Sequence, residues 1–141
     1  MTGKGSLNHN SRKFHAKNTD PNRTHWNVEY CNEDIKDVYH ELFDEALKRY
    51  NDKQTRKDRK IDDYYEKIRS GKQEKLFHEV IIQIGDKDNM GSETMEGQLA
   101  AKILDEYMKG FQERNPALRV FAAHLHMDET TPHLHVDFVP Y

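Results

Sequence analysis

His126, His133 and His135 are the residues whose type and spacing could do chemistry. On extended backbone, side chains alternate between the two faces of a strand. His133, His135 and Asp137 therefore share one face, and Leu134, Val136 and Phe138 the other. Just upstream, His124 and His126 share a face, and Phe121, Ala123 and Leu125 take the opposite one. Met127 to Pro132 is short enough to fold the two stretches into a hairpin, which would set His126 beside His133 and His135. Three imidazoles converging from neighbouring strands make a metal site, because neutral imidazole is the commonest transition-metal ligand. Three protein ligands leave positions open for water or substrate, as catalytic sites do. All-nitrogen ligation favours manganese, zinc, cobalt or nickel over calcium, with magnesium an alternative if phosphate and water supply oxygens. His124 lies one pair further from the turn and is expected to back the ligands or to pack. Asp128 is expected to shape the turn or orient a histidine.

The elements that must position these residues are legible in outline. A short strand is expected over Trp26–Tyr30. A helix follows, capped by Asn32, with Ile35, Val38, Tyr39, Leu42, Phe43, Ala46, Leu47 and Tyr50 on one face. A second helix is expected over Asp58–Arg69, stopped by Gly71. Phe77–Ile84 has the apolar centre of a strand, ended by Gly85-Asp86, with a loop to Gly91. A third helix is expected over Glu93–Arg114, with Leu99, Ala100, Ile103, Leu104, Tyr107, Met108 and Phe111 inward and Pro116 beyond its end. Strands Leu118–His126 and His133–Val139 complete the set. The pattern predicts an α/β fold of the α+β type: a largely antiparallel sheet flanked by helices, with a charged helical pair at 33–75 inserted in a single domain of 1–141. The chain stops at the end of an apparent central strand and shows no clear first strand, so a fragment of a longer protein is expected.

The composition narrows the function classes. The 141 residues are 35% hydrophobic and 33% charged, with net charge -3. There is one cysteine, so no internal disulfide framework. No apolar run approaches the ~18–20 residues of a membrane span, and no secretory leader is visible, so a cytoplasmic protein is expected. Charge is uneven: residues 1–32 are basic, 33–75 balanced and 76–141 acidic. The acidic third would repel an anionic partner unless a bound cation offsets it.

His126-x-Asp128-Glu129-x-x-Pro132-His133-x-His135 resembles the metal motif of the plasmid mobilization and recombination relaxases, the Mob/Pre or MobV family, within the His-hydrophobic-His (HUH) class of single-strand endonucleases. Far upstream, Gly5-Ser6-Leu7-Asn8-His9-Asn10-Ser11-Arg12 resembles the family's His-Asn-x-Arg motif, and Asn18-Thr19-Asp20 with Asn27 resembles the stretch after it. The resemblance implies an HUH-type fold and a metal-dependent transesterase. Such an enzyme nicks one strand of single-stranded or supercoiled DNA at a transfer origin and stays joined to the new 5′ phosphate. It implies His9 as nucleophile and Glu129 as the carboxylate that orients it and takes up its other proton. It further implies His126, His133 and His135 as ligands of a divalent ion, manganese first, with magnesium and zinc as alternatives. Arg12 and Asn10 are then expected to contact DNA. The family domain normally has a strand before the first motif and continues past the last strand. The shorter chain here is expected to hold the catalytic residues yet bind its origin poorly.

Other readings stay open at this point. Tyr64-Tyr65 is similar to the paired catalytic tyrosines elsewhere in the class, although both fit the apolar face of a charged helix, and Tyr30 is a further tyrosine to weigh. The run Arg56-Lys57-Asp58-Arg59-Lys60 suits either a DNA backbone or a solvated helix start. A relaxase-like module that binds DNA or metal without nicking, and an unrelated three-histidine hydrolase that activates water, are the competing functions. The residues leave the oligomeric state open.

Overall fold

The computed structural model describes residues 2–3, 6–13, 19–86 and 91–141. Gly5 and Asn18 of the motifs above, and positions 87–90 of the expected loop, lie outside them. In chain order the elements are β1 (Thr2–Gly3), α1 (Leu7–Asn10), β2 (Val28–Asn32), α2 (Ile35–Asp52), α3 (Tyr64–Ser70), β3 (His78–Gln83), α4 (Met95–Lys109), α5 (Phe111–Arg114), β4 (Leu118–His126) and β5 (His133–Pro140). They divide into two compact units, one of Met1–Asn32 with Phe77–Pro140 and the other of Glu33–Leu76 with Tyr141.

The first unit is built on one sheet in the order β1-β3-β5-β4-β2, with every neighbouring pair antiparallel. The β4–β5 hairpin has the register that the alternation predicts: His126 opposite His133, Leu125 opposite Leu134 and His124 opposite His135. The expected alternation fails further along. A bulge between Val120 and Ala122 inserts Phe121 as an extra residue. Val120 joins the apolar core in its place, and Phe121 packs edge-on against Phe77 at 5.4 Å. β1 went unread because two residues are too few to show a period; it pairs Thr2 with Val80 and Gly3 with Glu79.

One face of the sheet is apolar and carries α4 and α5. Leu104, Met108 and Phe111 pack with Val120, Ala123, Leu125, Met127, Leu134 and Val136. Thr94 starts α4 by accepting the Gly97 amide proton at 2.9 Å. The single helix expected over Glu93–Arg114 is instead broken at Gly110, whose amide caps α4 before α5 begins. The seven residues expected inward separate into two groups. Ala100, Leu104, Met108 and Phe111 are buried, whereas Leu99, Ile103 and Tyr107 are 56%, 49% and 40% exposed. At 100° per residue the seven span half the helix circumference, and a sheet covers only about 100° of it.

The second unit is the charged helical pair. α2 starts two residues later than expected: Asp34, not Asn32, caps it by accepting the Lys36 amide proton at 2.8 Å, while Asn32 ends β2. The second helix has seven residues and starts at Tyr64 rather than Asp58. Asn51 donates to the Ile61 carbonyl at 2.7 Å and accepts from the Ile61 amide at 2.9 Å. Ile61's main-chain groups are thereby unavailable to a helix, and α3 begins only after Asp63 caps it. Tyr39, Phe43, Tyr64 and Tyr65 pack ring against ring at 5.1–6.0 Å. The paired tyrosines thus belong to an aromatic cluster. Among the described residues no helix is long and apolar enough to cross a membrane.

The two faces of α4 give a stability test. Leu104→Ala should destabilise the protein by about 2–5 kcal/mol in urea unfolding. Leu99→Ala should cost no more than about 0.5 kcal/mol. Equal losses would mean that α4 is rotated from the orientation described.

Candidate metal centre and nucleophile

On the other face of the sheet the β4–β5 hairpin is polar and buried, with His124, His126, His133, His135 and Asp137 all inaccessible or nearly so. His126, Glu129, His133 and His135 each offer one ligand atom, and these atoms lie within 4.8 Å of one another. Each ring is anchored through its other nitrogen. His126 Nε2–H donates to the Asn10 carbonyl at 2.7 Å, His133 Nδ1–H to the Thr131 carbonyl at 2.8 Å, and His135 Nδ1–H to Glu79 Oε1 at 3.0 Å. Because those partners are acceptors and the facing nitrogens of His126 and His135 meet no protein group, the proton of these two rings sits on the anchored nitrogen and the lone pair faces the cluster. His126 Nδ1 and His135 Nε2 are buried without a protein partner, and His133 Nε2 meets Glu129 Oε2. Burial brings the His126 imidazole down to about 3. Burial also lowers His135, against the pull of Glu79. Both rings are therefore held neutral, the form a metal needs. Unpartnered buried lone pairs on converging rings, with one carboxylate, fit a divalent ion of the manganese–zinc series.

Glu129 stands in the turn between β4 and β5, and that turn is clamped from three sides. Asn27 Oδ1 accepts the Met127 and Asp128 amide protons at 2.6 and 3.2 Å. The Asp20 amide donates to the Asp128 carbonyl at 2.5 Å. Ser92 donates its hydroxyl to the Glu129 carbonyl at 3.0 Å and its amide to the Thr130 carbonyl at 3.0 Å. The start of α4 presses on Ser92's turn: a Cβ on Gly97 would lie 1.9 Å from the Gly91 carbonyl oxygen, so only glycine fits there. Burial raises the Glu129 carboxyl, but the hydrogen bond from His133 and the charge of Arg12 outweigh it and bring the group down to about 2.

α1 lies on this polar face and carries His9. His9 Nε2 is 3.2 Å from Glu129 Oε1 and 3.2 Å from Arg12 Nη1. A proton on that nitrogen is held by the carboxylate, and a lone pair there by the guanidinium. The His9 ring stands edge-on to His126 at 6.0 Å. An open cleft of ≈ 400 Å³ is lined by His9, Gln83, Glu129, Thr131, His133 and His135, so the candidate nucleophile and three of the four metal donors share one opening.

Arg12 and Asn10 sit differently from the DNA contacts expected of them. The Arg12 side chain is 6% exposed and forms a two-point ion pair with the fully buried Asp128, at 2.8 and 2.6 Å. Its Nη1 donates to the His9 carbonyl at 2.6 Å. Arg12 ends α1 with φ 59°, a left-handed conformation that costs a residue with a Cβ about 1–2 kcal/mol; the ion pair holds it there. Asp128 also accepts from Thr24 at 2.8 Å. These bonds outweigh its burial and hold its carboxyl well below the usual range. Asn10 is 2% exposed, and its amide donates to Glu79 Oε2 at 2.5 Å and to Asp137 Oδ2 at 3.4 Å. His124 is buried beside His126, ring centroids 6.2 Å apart, and bonds Glu29 at 2.9 Å. The Tyr30 hydroxyl donates to Asp105 at 2.6 Å.

Glu79 is the functional residue that the sequence reading missed. It sits opposite Asp137 in the β3–β5 ladder. Burial pushes the Asp137 carboxyl up, and Glu79 beside it adds to the rise, to about 9. Burial also acts upward on Glu79, but hydrogen bonds from His135, Asp137 and Asn10 outweigh it and bring that group to about 2. The pair shares one proton, carried by Asp137. The available signal was a lone acid inside an apolar strand, but its meaning depends on β3 pairing with β5, which no local pattern shows.

The family model for the plasmid recombination enzymes, Mob_Pre, matches residues 4–141. Solved structures of the MobM relaxase domain (MOBV; Mob_Pre), bound to manganese and to 22 nucleotides of plasmid pMV158 oriT DNA, are similar in fold. One is 28% identical with a TM-score of 0.54, and another 26% identical with a TM-score of 0.51. Each alignment covers 96% of this chain, which spans 62% of the length of the MobM domain. No curated protein matches the sequence. With the match running from the His9 helix to the last histidine strand, the chain belongs to the Mob_Pre family of plasmid recombination enzymes.

Proposed function

We propose that this chain is a metal-dependent, site-specific single-strand DNA endonuclease and transesterase that nicks a plasmid transfer origin and stays joined to the 5′ phosphate. The observation that carries the reading is the 3.2 Å contact between His9 Nε2 and Glu129 Oε1, because Glu129 also belongs to the four-donor cluster. A nucleophile and a metal centre therefore share one carboxylate. The manganese and oriT DNA of the MobM structures point to the same ion and the same class of substrate.

In this reading His126, His133 and His135 hold the ion, with Glu129 beside them. When bound, the ion supplies polarisation of the scissile phosphate and offsets the charge that develops on it. His9 is the nucleophile. With the proton on Nε2 directed at Glu129, the Nδ1 lone pair attacks phosphorus and forms the N–P bond. The P–O3′ bond breaks, the Nε2 proton passes to Glu129, and the departing 3′ oxygen takes up a proton from solvent. The neutral imidazole of His9 is restored when the 3′ hydroxyl attacks the adduct and reseals the strand. Arg12 donates to the His9 carbonyl, fixing where the residue stands rather than reaching for a distant phosphate.

Two measurements test this. Manganese binding by calorimetry should be tight in the wild type and weaker by more than about 100-fold in His133→Ala; His124→Ala should change it by less than about 10-fold. Unchanged binding in His133→Ala would remove the metal centre. Separately, supercoiled DNA carrying the element's own transfer origin should be nicked with manganese, leaving a protease-sensitive adduct at the 5′ end. The adduct should vanish in His9→Ala. An adduct surviving that change would move the nucleophile to a tyrosine, and a free 5′ phosphate would identify a water-activating hydrolase instead.

A further inference from the structure

Asn10 touches neither the cleft nor the space between the metal donors, yet it reaches two of the three histidines. Its main-chain carbonyl, an acceptor that the end of α1 leaves without a helical partner, takes the proton of His126 Nε2 at 2.7 Å. Its side-chain amide donates to Glu79 Oε2 at 2.5 Å, and the other oxygen of Glu79 holds His135 Nδ1–H at 3.0 Å. The same amide lies 3.4 Å from Asp137 Oδ2, between two buried carboxyl groups where a donor is required and a third acceptor would repel. Asn10 is 2% exposed, and the residue before it is His9.

We propose that Asn10 is a positioning residue that couples metal loading to placement of the nucleophile: the orientation of the His126 and His135 rings and the seating of α1, which carries His9, are set by the same side chain and carbonyl. This rests on the metal-centre reading above. Ordering the two rings around an ion fixes Asn10 from both ends, and fixing Asn10 holds His9 over Glu129. Conversely, an unseated α1 leaves His126 without its acceptor and Glu79 without its donor. The metal-free protein therefore binds the ion and orders its nucleophile as one event.

The test uses the whole chain and manganese alone, with no DNA. Amide hydrogen exchange is read at Asn10, Ser11, Arg12 and Lys13, whose protons bond the carbonyls of Ser6, Leu7, His9 and Asn8. In the wild type, manganese should slow exchange at these amides. Asn10→Ala keeps the carbonyl but loses the amide. It should weaken manganese binding about 10–100-fold, the range for groups that orient ligands, and abolish the slowing even at saturating metal. Asn10→Asp should weaken binding further. Glu79→Gln should resemble Asn10→Ala, and the double variant should be no worse than either single one, since the two act through one contact. Additive losses, or slowing that persists at saturation in both single variants, would overturn the proposal. If Asn10→Ala proves unfolded by its melting curve, Glu79→Gln carries the same two readouts and decides alone. A wild type that binds no manganese would instead sink the metal-centre reading, so the two failures are distinct.

Discussion

Three imidazoles can converge on one point only if each has somewhere to put the proton it does not want there. In this protein that need is met by three unlike acceptors: a helix-end carbonyl for His126, a turn carbonyl for His133 and a carboxylate for His135. Much of the first unit's architecture serves this distribution of protons. α1 lies against the sheet where its terminal carbonyl reaches His126, β3 is paired beside β5 so that Glu79 backs His135, and the turn after β4 is bent so that Thr131 reaches back to His133. Desolvation keeps the His126 and His135 rings neutral, and their acceptors choose which nitrogen is left bare.

The buried charges are balanced rather than simply paired. Arg12 answers Asp128, while Asp137 keeps a proton so that Glu79 need not face a second anion. Leaving a carboxylate uncompensated in such surroundings would cost several kcal/mol. The polar face is therefore intolerant of single changes, in contrast to the opposite face of the sheet, where aliphatic side chains can be exchanged at moderate loss.

What the sequence disclosed follows from the range over which its patterns act. The histidine hairpin was legible, register included, because period-two alternation and a short turn are local signals. The mixed fold with a charged helical segment was legible for the same reason. His9 was legible only through resemblance to a family, since nothing in a Gly/Asn/Ser segment says that it returns to a turn 120 residues away. Glu79 was illegible because its role depends on which strand becomes β5's neighbour. Arg12 and Asn10 carry polar groups that suit a phosphate equally well, and only their burial reveals that they face inward. The shortened second helix turned on one asparagine bonding both main-chain groups of Ile61, a contact that competes with helix propensity without leaving a mark in the periodicity.

The distance along the chain between His9 and the donors at 126–135 bears on synthesis. A ribosome releases the helix that carries His9 long before the histidine hairpin. Until β4 and β5 have emerged, α1 lacks the His126 ring it docks on, Arg12 lacks Asp128, and Glu79 lacks His135 and Asp137. Loop-closure entropy over such a span makes these contacts late ones. A nascent chain therefore carries an incomplete centre until the second histidine strand has been made.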